Sequence, residues 1–115
     1  MPNYIWAKLP NNTHCTLDNL DLGNMQNTKG IYVIWQSSPY PRTIRIGQGY
    51  IGQRLSSHRL DPEVMAYQSQ GTYYASWIIP PIHFLDGIER YLANRLQPLV
   101  GDAFPDAVPI EVNLP

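Results

Sequence analysis

At 115 residues the chain has the length of one domain, and such a domain buries roughly two-thirds of the surface its unfolded form exposes, enough for a core without metal or disulfide staples. Apolar residues make up 43% and charged residues 15%, which excludes a disordered chain, and no apolar run approaches membrane-spanning length. A formal net charge of -1 argues against a protein that grips nucleic acid over its whole surface, because that grip comes from neutralising phosphates.

The first 29 residues are polar and read as a loop-rich extension with one strand at Tyr4 to Ala7 and one helical turn near Leu17. Residues 1–10 hold no sustained apolar stretch of the kind a secretory signal needs. Cys15, the single cysteine, has no second thiol for a disulfide or a metal knuckle. A reducing, cytoplasmic location is the expectation.

Gly30 to Gln36 is a β-branched and aromatic run closed by Ser37-Ser38-Pro39, the signature of a strand, and its lack of alternation predicts burial on both faces. The two prolines between Ser37 and Arg42 predict a turn, so that Thr43 to Gly47 returns as the hairpin partner. Strict alternation there puts Ile44 and Ile46 on one face, with Arg45 opposite the core beside Thr43 and Gly47. Gly47, Gly49 and Gly52 loosen the chain before a helix ending near Arg59, and Asp61-Pro62 starts the next turn.

Tyr73 to Ile79 is the third predicted strand, stopped by Pro80-Pro81. From about Phe84, the positions Leu85, Ile88, Leu92 and Leu96 recur at three and four residues and predict an amphipathic helix with Glu89 at the border of its apolar stripe. Residues 99–115 read as a proline-rich tail over the same domain, with Ile110 to Val112 a short edge strand.

Between Gly30 and Leu60 lie Arg42, Arg45, Arg54 and Arg59 and no acid, which reads as a local basic face or as scattered solvated arginines. Arg54 and His58 sit one turn apart on one helix face: a forked permanent cation for a phosphate, and an imidazole that ordinarily titrates near neutrality and can take a proton from Tyr32 or water. The same two residues also fit the solvated face of a short helix, Tyr32 fits a core aromatic, and Glu89 beside Arg90 fits an exposed helix charge. His14 and His83 have no evident partners and read as surface residues. Trp35, Tyr73, Tyr74 and Trp77 read as base-stacking groups or, more ordinarily, as core.

Taken in order, Gly30-Ile31-Tyr32, a second strand containing Gly47, Arg54-Leu55-x-x-His58 and Glu89 resemble the GIY-YIG nuclease domain, over about residues 29–98. A literal Tyr50-Ile51-Gly52 triplet exists, but the register set by Arg54 and His58 aligns Arg45-Ile46-Gly47 with the family's second motif, so that Arg45 replaces its second tyrosine. The resemblance implies an α/β sandwich with a central three-stranded antiparallel sheet, in a domain at residues 30–98, and metal-dependent cleavage of DNA. It further implies that Tyr32 contacts or deprotonates the nucleophile and that Arg54, His58 and Glu89 complete the site, with Arg45 offering phosphate contact in place of the missing phenol.

A hard cation such as Mg²⁺ or Mn²⁺ keeps most of its waters and needs one or two carboxylates, so Glu89 alone can anchor it. Arg42, Tyr50 and Arg59 are candidate nucleic-acid contacts, and Asn113 is a candidate for a late polar residue seen in the family. RNA stays open as a substrate. No accessory DNA-binding domain is visible in the chain, which suggests a partner protein that supplies target choice. The competing reading is a noncatalytic nucleic-acid- or partner-binding module on the same scaffold.

Overall fold

The computed structural model describes residues 3–8, 14–101 and 104–115. Four strands form one antiparallel sheet: β1 (Cys15–Thr16), β2 (Lys29–Gln36), β3 (Arg42–Tyr50) and β4 (Tyr73–Ile78), in the spatial order β1-β4-β2-β3. Three helices accompany them: α1 (Ile51–Arg59), α2 (Pro62–Met65) and α3 (Leu85–Leu96). The sheet thus has one strand more than the three expected. The added strand is two polar-flanked residues that pair Cys15 with Ala75 and Thr16 with Tyr74, a long-range pairing that leaves no local pattern in the sequence.

Neither terminal strand forms. Around Tyr4 to Ala7 the chain is irregular, and Ala7 N–H donates to the Trp77 carbonyl at 3.1 Å. Ile110 to Val112 is likewise irregular, with Ile110 N–H donating to the Gly87 carbonyl at 2.9 Å. Pro109, which lacks a donor, precedes it.

The central strand β2 is buried on both faces, as its unbroken apolar run predicts. On one face Tyr32 and Ile34 pack with Ile51 and Leu55 of α1 and with Leu17 and Leu22 of the N-terminal segment. On the other, Ile31 and Val33 pack with Leu85, Ile88 and Leu92 of α3 and with Trp6 and Val112. The sheet is therefore sandwiched between two helical layers, and both chain ends contribute core residues.

Alternation fails in β3. Ile34 pairs with Arg45 but Trp35 pairs with Thr43, so Ile44 is an extra residue, a β-bulge. Ile44 consequently joins the α1 core while Ile46 joins the α3 core, and the two isoleucines do not share a face. The bulge also leaves the Thr43 and Ile44 carbonyls free on the sheet edge, where they accept from Leu99 N–H at 3.1 Å and Val100 N–H at 2.9 Å. The tail is thereby laid along the outer strand.

Asn113 serves the fold. Its Oδ1 accepts from Tyr4 N–H at 2.7 Å, its Nδ2 donates to the Tyr4 carbonyl at 2.8 Å, and its own carbonyl accepts from Trp6 Nε1 at 3.0 Å. Two distant segments are clipped together by one amide, which places Asn113 in a structural role. Replacing Asn113 with Ala leaves the Tyr4 backbone groups without those partners and is expected to lower stability by about 1–3 kcal/mol, read as a shift in the urea midpoint.

Candidate active site

Tyr32 lies at the middle of β2 directly opposite Gly47. A Cβ at Gly47 would run into the Tyr32 hydroxyl and Cζ, so the phenol lies against bare backbone. That close approach is what the glycine permits. The hydroxyl meets His58 Nε2 of α1 at 2.5 Å, with ring centroids 5.3 Å apart. Tyr32 is 0% exposed and His58 5%.

Burial pushes the Tyr32 hydroxyl up from its ordinary value, while the nearby Arg54 guanidinium and the charge of Arg45 work against that rise. His58 is pushed down to about 4, first by burial and then by the charges of Arg45 and Arg54, with Asp61 opposing them. The imidazole is thus neutral at pH 7. The expectation of titration near neutrality is corrected, because a ring buried beside two guanidiniums cannot readily accept a third positive charge.

In front of this pair opens a cleft of about 570 Å³ lined by Arg45, Arg54, His58, Asp61 and Glu63, and closed on one side by the tail at residues 99–101. Arg54 projects from the exposed face of α1 and Arg45 is half-buried on β3. The Arg45 guanidinium passes against Gly101, whose φ of 97° and missing side chain give it room.

Glu89 does not line this cleft; it is 7% exposed on α3. The reading of Glu89 as an exposed helix charge is corrected accordingly. Burial raises its carboxyl above the usual range, the Gln48 amide and the charges of Arg45 and Arg54 work against that rise, and Asp86 adds to it. Tyr32 in turn feels the Glu89 charge. Phenol, imidazole, both guanidiniums and this carboxylate therefore form one electrostatic neighbourhood. Gln48 Nε2 also donates to Asp86 Oδ1 at 2.7 Å, one turn before Glu89 on α3.

No group of three or more His, Cys, Asp or Glu side chains able to hold a metal occurs among the described residues. With one carboxylate and no set of three ligands around it among the described residues, Glu89 suits at most an ion that needs a single protein carboxylate and keeps its waters, not one that demands a full protein cage.

The remaining candidates scatter. Arg59 donates to the Leu17 and Leu20 carbonyls at 2.8 and 2.5 Å, tying α1 to the N-terminal segment. Arg42 donates to Gln36 Oε1 at 2.9 and 2.7 Å and to Gln70 Oε1 at 2.8 Å. Tyr50 is exposed at the start of α1, and His83 is exposed as expected. His14 is half-buried, edge-on to Trp35 at 4.8 Å, and so is not a surface residue. Trp35 stacks on Tyr74 at 4.7 Å, and Tyr73 donates to the Val64 carbonyl at 2.6 Å inside the core. Sequence reasoning missed Asp61, Glu63, Gln48 and the tail residues at the cleft. Only Asp61 carried a signal, as the acid one turn beyond His58.

Compared with family models, curated proteins and solved structures, the chain matches none. No helix of the described residues is long and apolar enough to cross a membrane.

Two outcomes are expected. Gly47→Ala forces Tyr32 off its backbone seat and should cost roughly 1–3 kcal/mol, with loss of the Tyr32–His58 contact in side-chain NMR. His58 takes up a proton near pH 4 when folded and near 6.5 when unfolded, so the unfolded chain binds more protons between those values. Stability should fall as pH drops through that window, level off below it and be independent of His58 above it. Denaturation of wild type and His58→Gln from pH 4 to 7 should differ by on the order of 2–3 kcal/mol across the window.

Proposed function

We propose that this chain is a divalent-metal-dependent endonuclease that hydrolyses phosphodiester bonds of DNA, on a domain resembling the GIY-YIG nucleases. The observation that carries the reading is the buried Tyr32–His58 hydrogen bond at the wall of a cleft that also holds Arg45 and Arg54. Hydrolysis needs a water relieved of a proton and positive charge on the phosphoryl oxygens.

Arg54, a planar fork at the exposed cleft wall, binds nonbridging phosphate oxygens, and Arg45 adds a second permanent charge. His58, which lines the cleft and is neutral, takes the proton of the attacking water, and the Tyr32 hydroxyl holds the imidazole through its contact at Nε2. Glu89 would hold Mg²⁺ or Mn²⁺, and the bound ion supplies Lewis acidity toward the phosphoryl and leaving oxygens. Two arginines engaged with phosphate oxygens carry no sequence information, so target choice would come from a partner protein.

A second reading, a noncatalytic nucleic-acid- or partner-binding module, is favoured by one observation: Glu89 is buried and does not line the cleft. It keeps the arginines as phosphate contacts and assigns no turnover.

Plasmid and oligonucleotide cleavage with Mg²⁺ or Mn²⁺ separates the two. Wild type is expected to nick or cut DNA, and Glu89→Ala and Arg54→Ala are each expected to lose about 10²–10³-fold in rate. Equal cleavage by Glu89→Ala would sink the metal-dependent mechanism, and binding without turnover at any metal concentration would favour the second reading.

A further inference from the structure

We propose that Asp61 and Glu63 act as an electrostatic stop at one end of the cleft, confining a nucleic-acid strand to about one phosphate contact, on the side of Arg45 and Arg54. The inference deepens the endonuclease reading and rests on it for the identity of the ligand; the arrangement of the charges does not depend on it. A groove that grips a long run of backbone carries cations along its length. This cleft is lined by as many carboxylates as guanidiniums, and their signs are separated along one axis. Arg54 stands in the first half of α1, His58 follows about 6 Å further along the helix axis, and Asp61 and Glu63 stand past its end, where the chain turns into α2.

The two acids belong to a fixed corner. Asp61 N–H donates to the His58 carbonyl at 3.2 Å, and Asp61 Oδ1 accepts from Glu63 N–H at 3.0 Å, so the Asp61 carboxylate is pinned as the cap of α2. Glu63 is exposed in the first turn of α2. Another side of the cleft is closed by the tail, where Leu99 and Val100 donate to the Thr43 and Ile44 carbonyls. The Arg45 guanidinium rests against Gly101 of that tail with its Nε buried and without a partner, so this end of the fork is not spent on an internal hydrogen bond.

A phosphate held by the arginines therefore has the tail on one side and like charge beyond it at the α1–α2 corner. The next phosphate of a strand continuing toward that corner meets two carboxylates and is repelled, so the strand turns out of the cleft. Asp61 and Glu63 are in this sense specificity-determining residues: they act against extended backbone contact and keep the chain's own hold on DNA weak. That matches a net charge of -1 and leaves most of the affinity to a partner.

The test measures binding of the full chain to a single strand of about 12 nucleotides over a range of salt, without divalent metal, so that binding is read apart from cleavage. For wild type the slope of log K against log salt is expected near about -0.7, the value for one neutralised phosphate on a single strand. Asp61→Asn/Glu63→Gln retains a capping side chain at position 61 and is expected to bind about tenfold tighter at low salt, with the two curves converging at high salt. Glu63→Gln alone, which leaves the cap untouched, should gain about threefold. Asp106→Asn/Glu111→Gln removes the same charge from exposed positions that do not line the cleft and should stay within about twofold of wild type. A wild-type slope of about -2 or steeper overturns the proposal, as does an absence of gain in the cleft variants, neither protein binding included, or an equal gain in the control. A gain confined to the cleft variants, in a chain that cuts no DNA with Mg²⁺, refutes the endonuclease reading and leaves the stop standing. A chain that cuts, with no gain in the cleft variants, does the reverse.

Discussion

The contact between the Tyr32 ring and the bare backbone of Gly47 seats the phenol against β3, where its hydroxyl meets His58 of α1 at the edge of the cleft. A side chain at position 47 would lift the phenol, and the phenol in turn defines where His58 must sit to meet its hydroxyl. Because β2 is covered by a helical layer on each face, neither ring of the pair has solvent to fall back on. Their hydrogen bond is therefore the local alternative to two orphaned polar groups, which is how packing and site chemistry become one constraint.

The electrostatics follow from that burial. Arg45 and Arg54 bring two permanent charges to a neighbourhood where His58 has little water to share a charge with, so the imidazole stays neutral and the phenol stays protonated. Such a pair is ready to move a proton only when something outside it creates the demand. The bulge at Ile44 belongs to the same arrangement. It frees two carbonyls at the edge of β3 to bind the tail, and the tail's Gly101 then passes the Arg45 guanidinium into the cleft.

The two helical layers divide the chemistry. α1 and its C-terminal turn supply Arg54, His58 and Asp61 on one side of the sheet, whereas α3 supplies Asp86 and Glu89 on the other, with Gln48 on β3 between. β3 is an edge strand, which allows groups from the two layers to feel one another around it, and the mutual influence of Glu89 with Arg45, Arg54 and Tyr32 reflects that. An acid buried in one layer and a cleft opened in the other bind the proposed activity to the thickness of a single strand.

Local pattern in the chain determined β2, the hairpin, α1 and α3, since an unbroken β-branched run, a proline-marked turn and a three-and-four spacing of leucines each specify an element within a dozen residues. It also singled out Tyr32, Arg54, His58, Arg45 and Glu89, because residue type and order survive without coordinates. Tertiary structure alone decided the fourth strand, the face of Ile44, the clamp of Asn113 on Tyr4, the use of Arg59 and Arg42 as internal ties, and the entry of Asp61 and Glu63 into the cleft. Each of these depends on a partner far away in sequence or on one extra residue in a strand. Above all, the neutrality of His58 is a property of the desolvated, doubly cationic space around it, which no stretch of neighbouring residues encodes.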